Sequence, residues 1–325
     1  MIDRTEALTL GIEIGGTKLQ VGAGDSTGRL LDLERGAVDP ARGASGVLDT
    51  IAAISARLLD RCSPRPEAIA AVGIGFGGPV DPTSGRVLES HQVAGWTDFD
   101  LAGWARATFR TDRVAIQNDA DTAGFAEAVR GAGRGYDPVL YLTIGSGIGG
   151  GLISGGRIYR GGGLGALEIG HLWIRLEGEP PAKLEQIASG WAIGRAARER
   201  LTPDSRSILL DLPGAPATLT GLDVGRAAEL RDRFALGILE RARAAMIQAL
   251  GHAVTLLSPR RIILGGGVSL LPAALWLDPI QAGLDAWVFP SFRGTFDVVS
   301  AALGEEVVVH GALALAADAI ANRPE

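Results

Sequence analysis

Two distant segments of the chain share one pattern of strand, glycine turn and strand. Residues 10–24 read LGIEIGGTKLQVGAG and residues 140–154 read LYLTIGSGIGGGLIS, each with a hydroxyl or lysine side chain in the turn. Because glycine has no Cβ, successive backbone N–H groups in such a turn can approach an anion closely. Two turns of this kind could bind one polyphosphate.

A carboxylate lies one element before the second turn. Asn118 and Asp119 end the apolar run 113–117. A carboxylate near two phosphate-binding turns indicates phosphoryl transfer to a hydroxyl, whose proton the carboxylate can accept. The competing interpretation is a helix N-cap, because Asn and Asp are preferred at that position.

Length, charge and cysteine content limit the class of protein. A chain of 325 residues with 46% apolar residues predicts two domains or one doubled domain. The net charge of −6, with no basic run, argues against nucleic acid and anionic membranes as partners. The N-terminus lacks the order of a signal peptide, and no run of roughly 20 apolar residues offers a membrane span. Cys62 is the only cysteine, which excludes an intramolecular disulfide, so we expect a cytoplasmic protein. The charge favours a small-molecule substrate.

The periodicity of apolar residues predicts strands first, then strands alternating with helices, which is typical of a mixed sheet covered by helices. Strands are expected at 8–14, 18–24, 29–34, 68–75, 113–117 and 261–264, with a second meander over 138–174. Helices are expected at 44–61, 100–109, 119–131, 186–200, 233–257 and 307–321. The segment 203–222 is expected to be irregular, Asp223 is expected to cap a short helix, and the last helix is expected to pack on the first half.

Three glycine patterns match motifs of other protein classes. Residues 73–78 and 145–150 fit GxGxxG, which in a dinucleotide-binding fold must open a helix directly after a strand. Neither is followed by a helix pattern, so a nicotinamide-dependent dehydrogenase is a disfavoured alternative. Residues 11–18 approach a phosphate-loop motif, but Thr17 precedes Lys18 where that motif has the reverse order.

Seven motifs in order give the chain its resemblance to the ROK family of sugar kinases. They are EIGGTK (13–18), GIGFGGPVD (73–81), QNDADTAG (117–124), IGSGIGGG (144–151), GALEIGH (165–171), LEQIASG (184–190) and IILGGG (262–267). The resemblance implies an α/β, actin-like and hexokinase-like fold of two lobes with duplicated ribonuclease-H-like mixed sheets. The smaller lobe would comprise 1–118 plus 308–325 and the larger lobe 119–307, with ATP and sugar in the cleft between the lobes.

The resemblance also implies roles for individual residues, with Asp119 as the catalytic base. ATP would be bound by Gly15, Gly16, Thr17 and Lys18, by Thr143, Gly145, Ser146 and Gly147, and by Gly265, Gly266 and Gly267. The sugar would be bound by Gly78, Asn118, Asp119, Glu168, His171 and Glu185. Glu13 stands where the family more often has Asp and would contact Mg²⁺ through water.

The chain departs from the family pattern at several positions. Many members have a Cys₃His zinc cluster after GH, but residues 172–183, LWIRLEGEPPAK, contain no cysteine. Zinc is therefore not expected, and His171 needs another partner to fix its tautomer, for which we expect a backbone carbonyl or a carboxylate. Gln92 and Asp121 also differ from the family pattern near the sugar side.

The resemblance implies an ATP- and Mg²⁺-dependent kinase acting on a hexose or N-acylhexosamine, most readily on O6 of glucose, and a homodimer. A sugar-binding pseudokinase of the same family is the alternative suggested by the departures. A transcription repressor is a further alternative, disfavoured because the first strand starts near residue 8 and the charge is unsuited to DNA.

Overall fold

A computed structural model describes residues 8–62, 69–90, 93–163 and 165–321. Its strands are, in chain order, β1 (Leu8–Ile14), β2 (Lys18–Gly24), β3 (Leu30–Ala37), β4 (Ile69–Phe76), β5 (Val80–Asp81), β6 (Arg86–Val87), β7 (Phe99–Asp100), β8 (Val114–Asn118), β9 (Val139–Ile144), β10 (Ile148–Ser154), β11 (Arg157–Ile158), β12 (Trp173–Ile174), β13 (Ala182–Lys183), β14 (Arg261–Gly265) and β15 (Asp297–Ser300). Its α-helices are α1 (Gly43–Cys62), α2 (Leu101–Phe109), α3 (Asp119–Val129), α4 (Glu185–Ala188), α5 (Gly190–Arg200), α6 (Gly221–Glu229), α7 (Arg233–Leu257), α8 (Leu277–Trp287) and α9 (Val307–Ala321). Among the described helices, none combines the length and apolarity needed to cross a lipid bilayer.

The chain divides into two compact units. The first comprises residues 1–134, 157–166 and 303–325, and the second comprises 135–156 and 167–302. The first unit is built on a sheet of order β3-β2-β1-β4-β8. In it, β1 pairs antiparallel with β2 and parallel with β4, and β4 pairs parallel with β8. A second, three-stranded sheet has the order β5-β6-β7.

The second unit repeats this arrangement. Four strands of its larger sheet are neighbours in the order β10-β9-β14-β15, in which β9 pairs antiparallel with β10 and parallel with β14, and β14 pairs parallel with β15. A separate two-stranded sheet is formed by β12 and β13. The hairpins β1–β2 and β9–β10 thus occupy equivalent places in two sheets of the same pattern. Helices α5, α6, α7 and α8 contribute the apolar side chains that bury this second sheet in its own core.

Glycines allow the C-terminal helix α9 to lie directly on the first sheet. A methyl group built at Gly73 would lie 1.8 Å from the carbonyl oxygen of Ala312, and one built at Gly11 would lie 2.8 Å from that of Val309. Any larger residue at these positions would therefore push the helix away from the sheet. The expectation that the last helix packs on the first half is confirmed, and Gly73 serves this packing rather than a nucleotide-binding turn.

The structure differs from the sequence prediction at two helix starts. The helix predicted over 186–200 is divided into α4 and α5, because Ser189 is extended and caps α5 by accepting a hydrogen bond from the Ala192 N–H. The prediction that Asp223 caps the short helix α6 is wrong. Thr220 is the N-cap, and Asp223 lies three residues later and accepts the Thr220 N–H in a capping box.

The two compact units divide the chain at a different residue from the predicted lobes. The boundary predicted at 118/119 lies inside the first unit, which extends to residue 134. The physical reason is helix packing, since α3 contacts α9 and the strands β4 and β8 of the first sheet. Residues 1–7, on which the expectation of no leader sequence rests, and Gln92 lie outside the described residues.

Candidate active site

In the first unit, three strands end at one edge of the sheet. Because β1, β4 and β8 are mutually parallel, their carboxyl ends bring Ile14, Phe76 and Asn118 to the same edge. The Gly77 N–H donates to the Ile14 carbonyl at 2.8 Å, which joins the glycine turn after β1 to the turn after β4. A small recess lies at this edge, lined by Ile14, Gly15, Gly16, Phe76, Gly77, Ser90, Val93 and Trp96.

Asp119 lies beside this first glycine turn. A methyl group built at Gly77 would lie 3.5 Å from Asp119 Oδ2 and 3.4 Å from the Cα of Gly15. The other oxygen, Oδ1, accepts the Ala120 N–H at 2.8 Å. Asp119 therefore accepts a backbone N–H at the start of α3 with one oxygen, and its other oxygen lies toward the turn. The N-cap itself is Asn118.

Asn118 caps α3 and connects it to the turn after β4. Its Oδ1 also accepts the Ala120 N–H at 2.8 Å, and its Nδ2 donates to the Gly78 carbonyl at 3.2 Å. The predicted sugar contacts Gly78, Asn118 and Asp119 are therefore adjacent. Asp121, in the first turn of the same helix, is buried.

The turn between β1 and β2 is closed by the Gly15 N–H, which donates to the Lys18 carbonyl at 2.8 Å. The ammonium group of Lys18 donates to the Glu305 carbonyl at 2.6 Å and lies 3.4 Å from Glu13 Oε2. That same oxygen accepts a 2.6 Å hydrogen bond from Gln20 Nε2. Burial raises the pKa of Glu13 above its ordinary value, although the charge of Lys18 and the Gln20 hydrogen bond oppose that change.

The surroundings of Glu13 fit a magnesium ion that is bound mainly by phosphate. Mg²⁺ keeps several waters and is usually held by one or two carboxylates together with substrate phosphates. Glu13 is one carboxylate, on the strand that leads into the glycine turn, and its Oε2 is already shared by Gln20 and Lys18. Because Gln20 and Lys18 already share this oxygen, Glu13 is suited to contact the ion through a metal-bound water rather than directly.

In the second unit, the turn between β9 and β10 is equally tight. The Gly145 N–H donates to the Gly147 carbonyl at 3.0 Å, and the Gly190 N–H at the start of α5 donates to the Gly145 carbonyl at 2.8 Å. The residues after the turn form strand β10 rather than a helix, so residues 145–150 do not form the dinucleotide fingerprint. Residues 73–78 lie in β4 and the turn after it, which excludes the same fingerprint there.

The predicted ATP-binding glycines 265–267 lie against the end of β9. Gly265 pairs with Thr143 across the sheet, and Gly266 has a φ of +81°. A methyl group at Gly266 would lie 2.6 Å from the Ile144 backbone nitrogen. Glycine is thus required at 266 by conformation and by space, and the turn 265–267 is brought next to the turn 145–147.

Glu185 also lies beside the second glycine turn, because a methyl group built at Gly147 would be 3.2 Å from its Oε2. Glu168 precedes a short 3-10 turn that ends at His171, and the His171 N–H donates to the Glu168 carbonyl at 3.0 Å. Leu167, just before this turn, has a φ of +66°. A left-handed leucine costs of order 1 kcal/mol, a strain that functional sites often contain, and no residue pattern predicts it here.

The partner of His171 is a lysine. Lys183 Nζ lies 2.8 Å from His171 Nδ1. The expectation that a backbone carbonyl or a carboxylate would hold this nitrogen is therefore wrong. The reason is the pairing of β12 with β13, which places Lys183 opposite Trp173, two residues beyond His171.

Ion pairs hold the segment 172–183 in place. The single Nε–H of Arg241 is shared between Glu179 Oε1 and Oε2, at 2.8 and 2.9 Å, and Arg241 Nη2 donates to Oε2 at 2.5 Å. Arg200 Nη2 donates to Glu179 Oε1 at 3.3 Å. The Arg241 hydrogen bonds, chiefly, lower the pKa of Glu179 to about 2. Main-chain bonds support the same segment, since the Leu184 N–H donates to the Leu172 carbonyl at 2.9 Å.

Comparison with known proteins decides the family. The sequence model of the ROK family matches residues 9–319. The chain belongs to the ROK family. This ROK chain is 31% identical over 313 residues to a glucokinase from Thermotoga maritima, covering 94% of this chain and 96% of the relative. It is also 31% identical over 315 residues to a kanosamine kinase from Amycolatopsis mediterranei, covering 94% and 95% of the two chains.

Solved structures agree with this assignment. A ROK family glucokinase from Streptomyces griseus, in complex with glucose and AMPPNP, is 32% identical to this ROK chain, with a TM-score of 0.79 over 96% of this chain and 99% of that one. The two-lobed α/β fold with duplicated mixed sheets, which the resemblance implied, is thereby confirmed.

Each unit of this ROK chain groups its own share of the predicted residues. The first unit holds Glu13, the turn 15–18, Gly78, Asn118 and Asp119, and the second holds the turns 143–147 and 265–267 with Glu168, His171 and Glu185. Sequence reasoning missed Lys183 and Leu167. Of these two residues, only Lys183 stands out in the sequence, because lysine is very rare in this chain.

Proposed function

We propose that this ROK chain is an ATP-dependent sugar kinase that transfers the γ-phosphoryl group to a hydroxyl of a hexose or N-acylhexosamine, most readily O6 of glucose. The observation that carries the proposal is Asp119, whose Oδ2 lies beside the first glycine turn at the carboxyl ends of three parallel strands. Ligands of open α/β sheets bind at the carboxyl ends of strands. The relatives of this chain include a glucokinase, which supports glucose as the sugar.

In this proposal, each group of predicted residues has one task in the reaction. The glycine turns 15–18, 143–147 and 265–267 donate backbone N–H groups to the nucleotide, because these groups approach phosphate without a Cβ in the way. Asn118, Glu168, His171 and Glu185 bind sugar hydroxyls. Carboxylates accept hydrogen bonds from hydroxyls, and an imidazole can donate one, so together they define one pattern of hydroxyl groups.

The chemical step is carried by Asp119. The sugar hydroxyl oxygen forms a bond to the γ-phosphorus while the bond from that phosphorus to the β–γ bridging oxygen breaks, and ADP leaves with the electron pair. Asp119 orients the hydroxyl and accepts its proton on Oδ2, late in a loose transition state. Mg²⁺, held by the phosphates and by Glu13 through water, would neutralise phosphate charge.

The test is ADP release with Mg-ATP and a panel of glucose, mannose, fructose, N-acetylglucosamine, N-acetylmannosamine and gluconate. We expect glucose to give the highest kcat/KM and ³¹P NMR to identify a 6-phosphate ester. A thermal shift with a sugar, in the absence of ADP release from any member of the panel, would instead support the pseudokinase. Omission of Mg²⁺ is expected to abolish turnover, because phosphoryl transfer depends on neutralising phosphate charge.

Location and assembly complete the proposal, which places the protein in the cytoplasm as a homodimer with no nucleic-acid or membrane partner. The acidic net charge of −6 supports a small-molecule substrate rather than a polyanion. Family resemblance supports the dimer. Light scattering coupled to size exclusion measures the assembly directly, and a mass of one chain at micromolar concentration would contradict the dimer.

A further inference from the structure

The contact between Lys183 and His171 has a chemical consequence for the ring of His171. An ammonium group carries three donors and no acceptor. His171 Nδ1, 2.8 Å from Lys183 Nζ, must therefore be the acceptor of this hydrogen bond. A neutral imidazole with an acceptor at Nδ1 carries its hydrogen on Nε2, and an imidazolium could not accept the bond at all.

The backbone holds both side chains of this pair. Lys183 is the last residue of β13, and its own N–H donates to Gln186 Oε1 at 3.2 Å. His171 is the last residue of a 3-10 turn, and its backbone N–H donates to the Glu168 carbonyl. The Leu184 N–H bonds to the Leu172 carbonyl at 2.9 Å, which links the residues that follow each member of the pair.

The composition of the chain sets Lys183 apart. Lysine and arginine together number 31, but only Lys18 and Lys183 are lysines. Surface cations of this protein are otherwise arginine, including those that hold Glu179. A compact ammonium can aim one donor at a single ring nitrogen, whereas the planar guanidinium is shaped for paired acceptors such as carboxylates.

We propose that Lys183 is a positioning residue that fixes the Nε2–H tautomer of His171, so that His171 is a hydrogen-bond donor to the sugar. The proposal rests on the sugar-binding role of His171 proposed above. It predicts the kind of hydroxyl that the site selects. The substrate must present an oxygen that accepts from Nε2–H, and that hydroxyl keeps its own hydrogen for a carboxylate such as Glu168 or Glu185.

The first test needs neither sugar nor turnover. We would record ¹⁵N NMR spectra of the intact protein labelled in its histidine rings, and assign the His171 signals by their loss in His171→Gln. We expect a protonated Nε2 and an unprotonated Nδ1. Lys183→Met, which keeps the apolar stem and removes the donors, should give a mixture of tautomers, and Arg175→Met, which removes a cation near β12, should leave the spectrum of His171 unchanged.

The second test connects the tautomer to the sugar. Loss of one oriented hydrogen bond should raise KM for the sugar roughly tenfold in Lys183→Met, with a smaller effect on kcat, and Lys183→Arg should restore part of it because a donor returns. A deoxy sugar that lacks the selected hydroxyl should bind equally poorly to wild type and Lys183→Met.

The outcomes separate this inference from the proposed function. An unchanged tautomer of His171 in Lys183→Met, or a hydrogen on Nδ1 in the wild type, overturns the role of Lys183. A changed tautomer with an unchanged KM for every sugar overturns the link to sugar binding, while ADP release in the wild type continues to support the kinase. If the wild type releases no ADP and the His171 tautomer still changes in Lys183→Met, only the proposed function is contradicted.

Discussion

Replacing Asp119 by Asn tests the catalytic base with little disturbance of the fold. Asp119 Oδ1 accepts the Ala120 N–H at 2.8 Å, and the amide oxygen of Asn can accept the same bond. Asn118 Oδ1 accepts from that N–H as well. Even complete loss of one N-cap bond costs about 1 kcal/mol, so we expect a smaller change in the free energy of unfolding.

The expected effect on catalysis is much larger. A neutral amide cannot accept the proton of the sugar hydroxyl, and general base catalysis contributes typically about 10²–10⁴-fold to a rate. At 1.36 kcal/mol for each factor of ten, the barrier should rise by about 2.7–5.4 kcal/mol. Sugar affinity should change little, because an amide oxygen still accepts a hydrogen bond from the hydroxyl.

The assay is ADP release at saturating glucose and Mg-ATP, with glucose affinity from titration calorimetry and stability from urea unfolding. Asp100→Asn is the matched control, because Asp100 is also a carboxylate that accepts a backbone N–H at the start of a helix of the first unit, from Gly103 at 2.8 Å. Its kcat should equal that of the wild type. The reasoning would be refuted by an Asp119→Asn enzyme that retains kcat within about threefold of wild type.

Three further predictions concern packing, the second glycine turn and acid stability. Gly73→Ala should lower the free energy of unfolding by about 1–3 kcal/mol or more, because the methyl group would lie 1.8 Å from the Ala312 carbonyl, and equal urea midpoints would contradict this. Gly147→Ala, whose methyl group would lie 3.2 Å from Glu185 Oε2, should raise KM for the sugar roughly tenfold with unchanged unfolding, as measured by ADP release at varied sugar. Glu179 has a pKa of about 2, below its ordinary 4.5, so its contribution is present at neutral pH and is lost as pH falls from about 4.5 toward 2. Its charged partners are partly exposed, so Glu179→Gln should cost about 1 kcal/mol at pH 7 and flatten the fall of stability between pH 5 and 3 in urea titrations; parallel curves for both proteins would oppose this.

Local patterns predicted most of the elements in this chain. The bounds of β1, β2, α7 and α9 agree with the prediction residue by residue, because alternating or helical spacing of apolar side chains is a property of the segment itself. The glycine turns after β1 and β9 are also confirmed, because a glycine turn between two β-branched runs depends on neighbouring residues alone. Two helix starts differ from the prediction, at the division at Ser189 and the cap at Thr220.

The candidate site was predictable wherever a motif contains the residue and its structural reason together. Asn118 and Asp119 follow a strand and precede a helix, so their place at a sheet edge follows from the order of elements. Lys183 could not be assigned in this way. Its partner His171 belongs to another motif, and only the pairing of β12 with β13 brings the two together.

The sequence by itself determined the repeated hairpins, the carboxylate after β8 and the family, because these depend on the kind and order of neighbouring residues. Tertiary structure alone decided which groups touch: the oxygen of Asp119 that faces Gly77, the approach of α9 to Gly73, and the lysine that holds His171. The physical reason is that a hydrogen bond or a close contact depends on distances of a few tenths of an ångström. Such distances are set by the packing of elements far apart in the chain, which no local spacing of residues encodes.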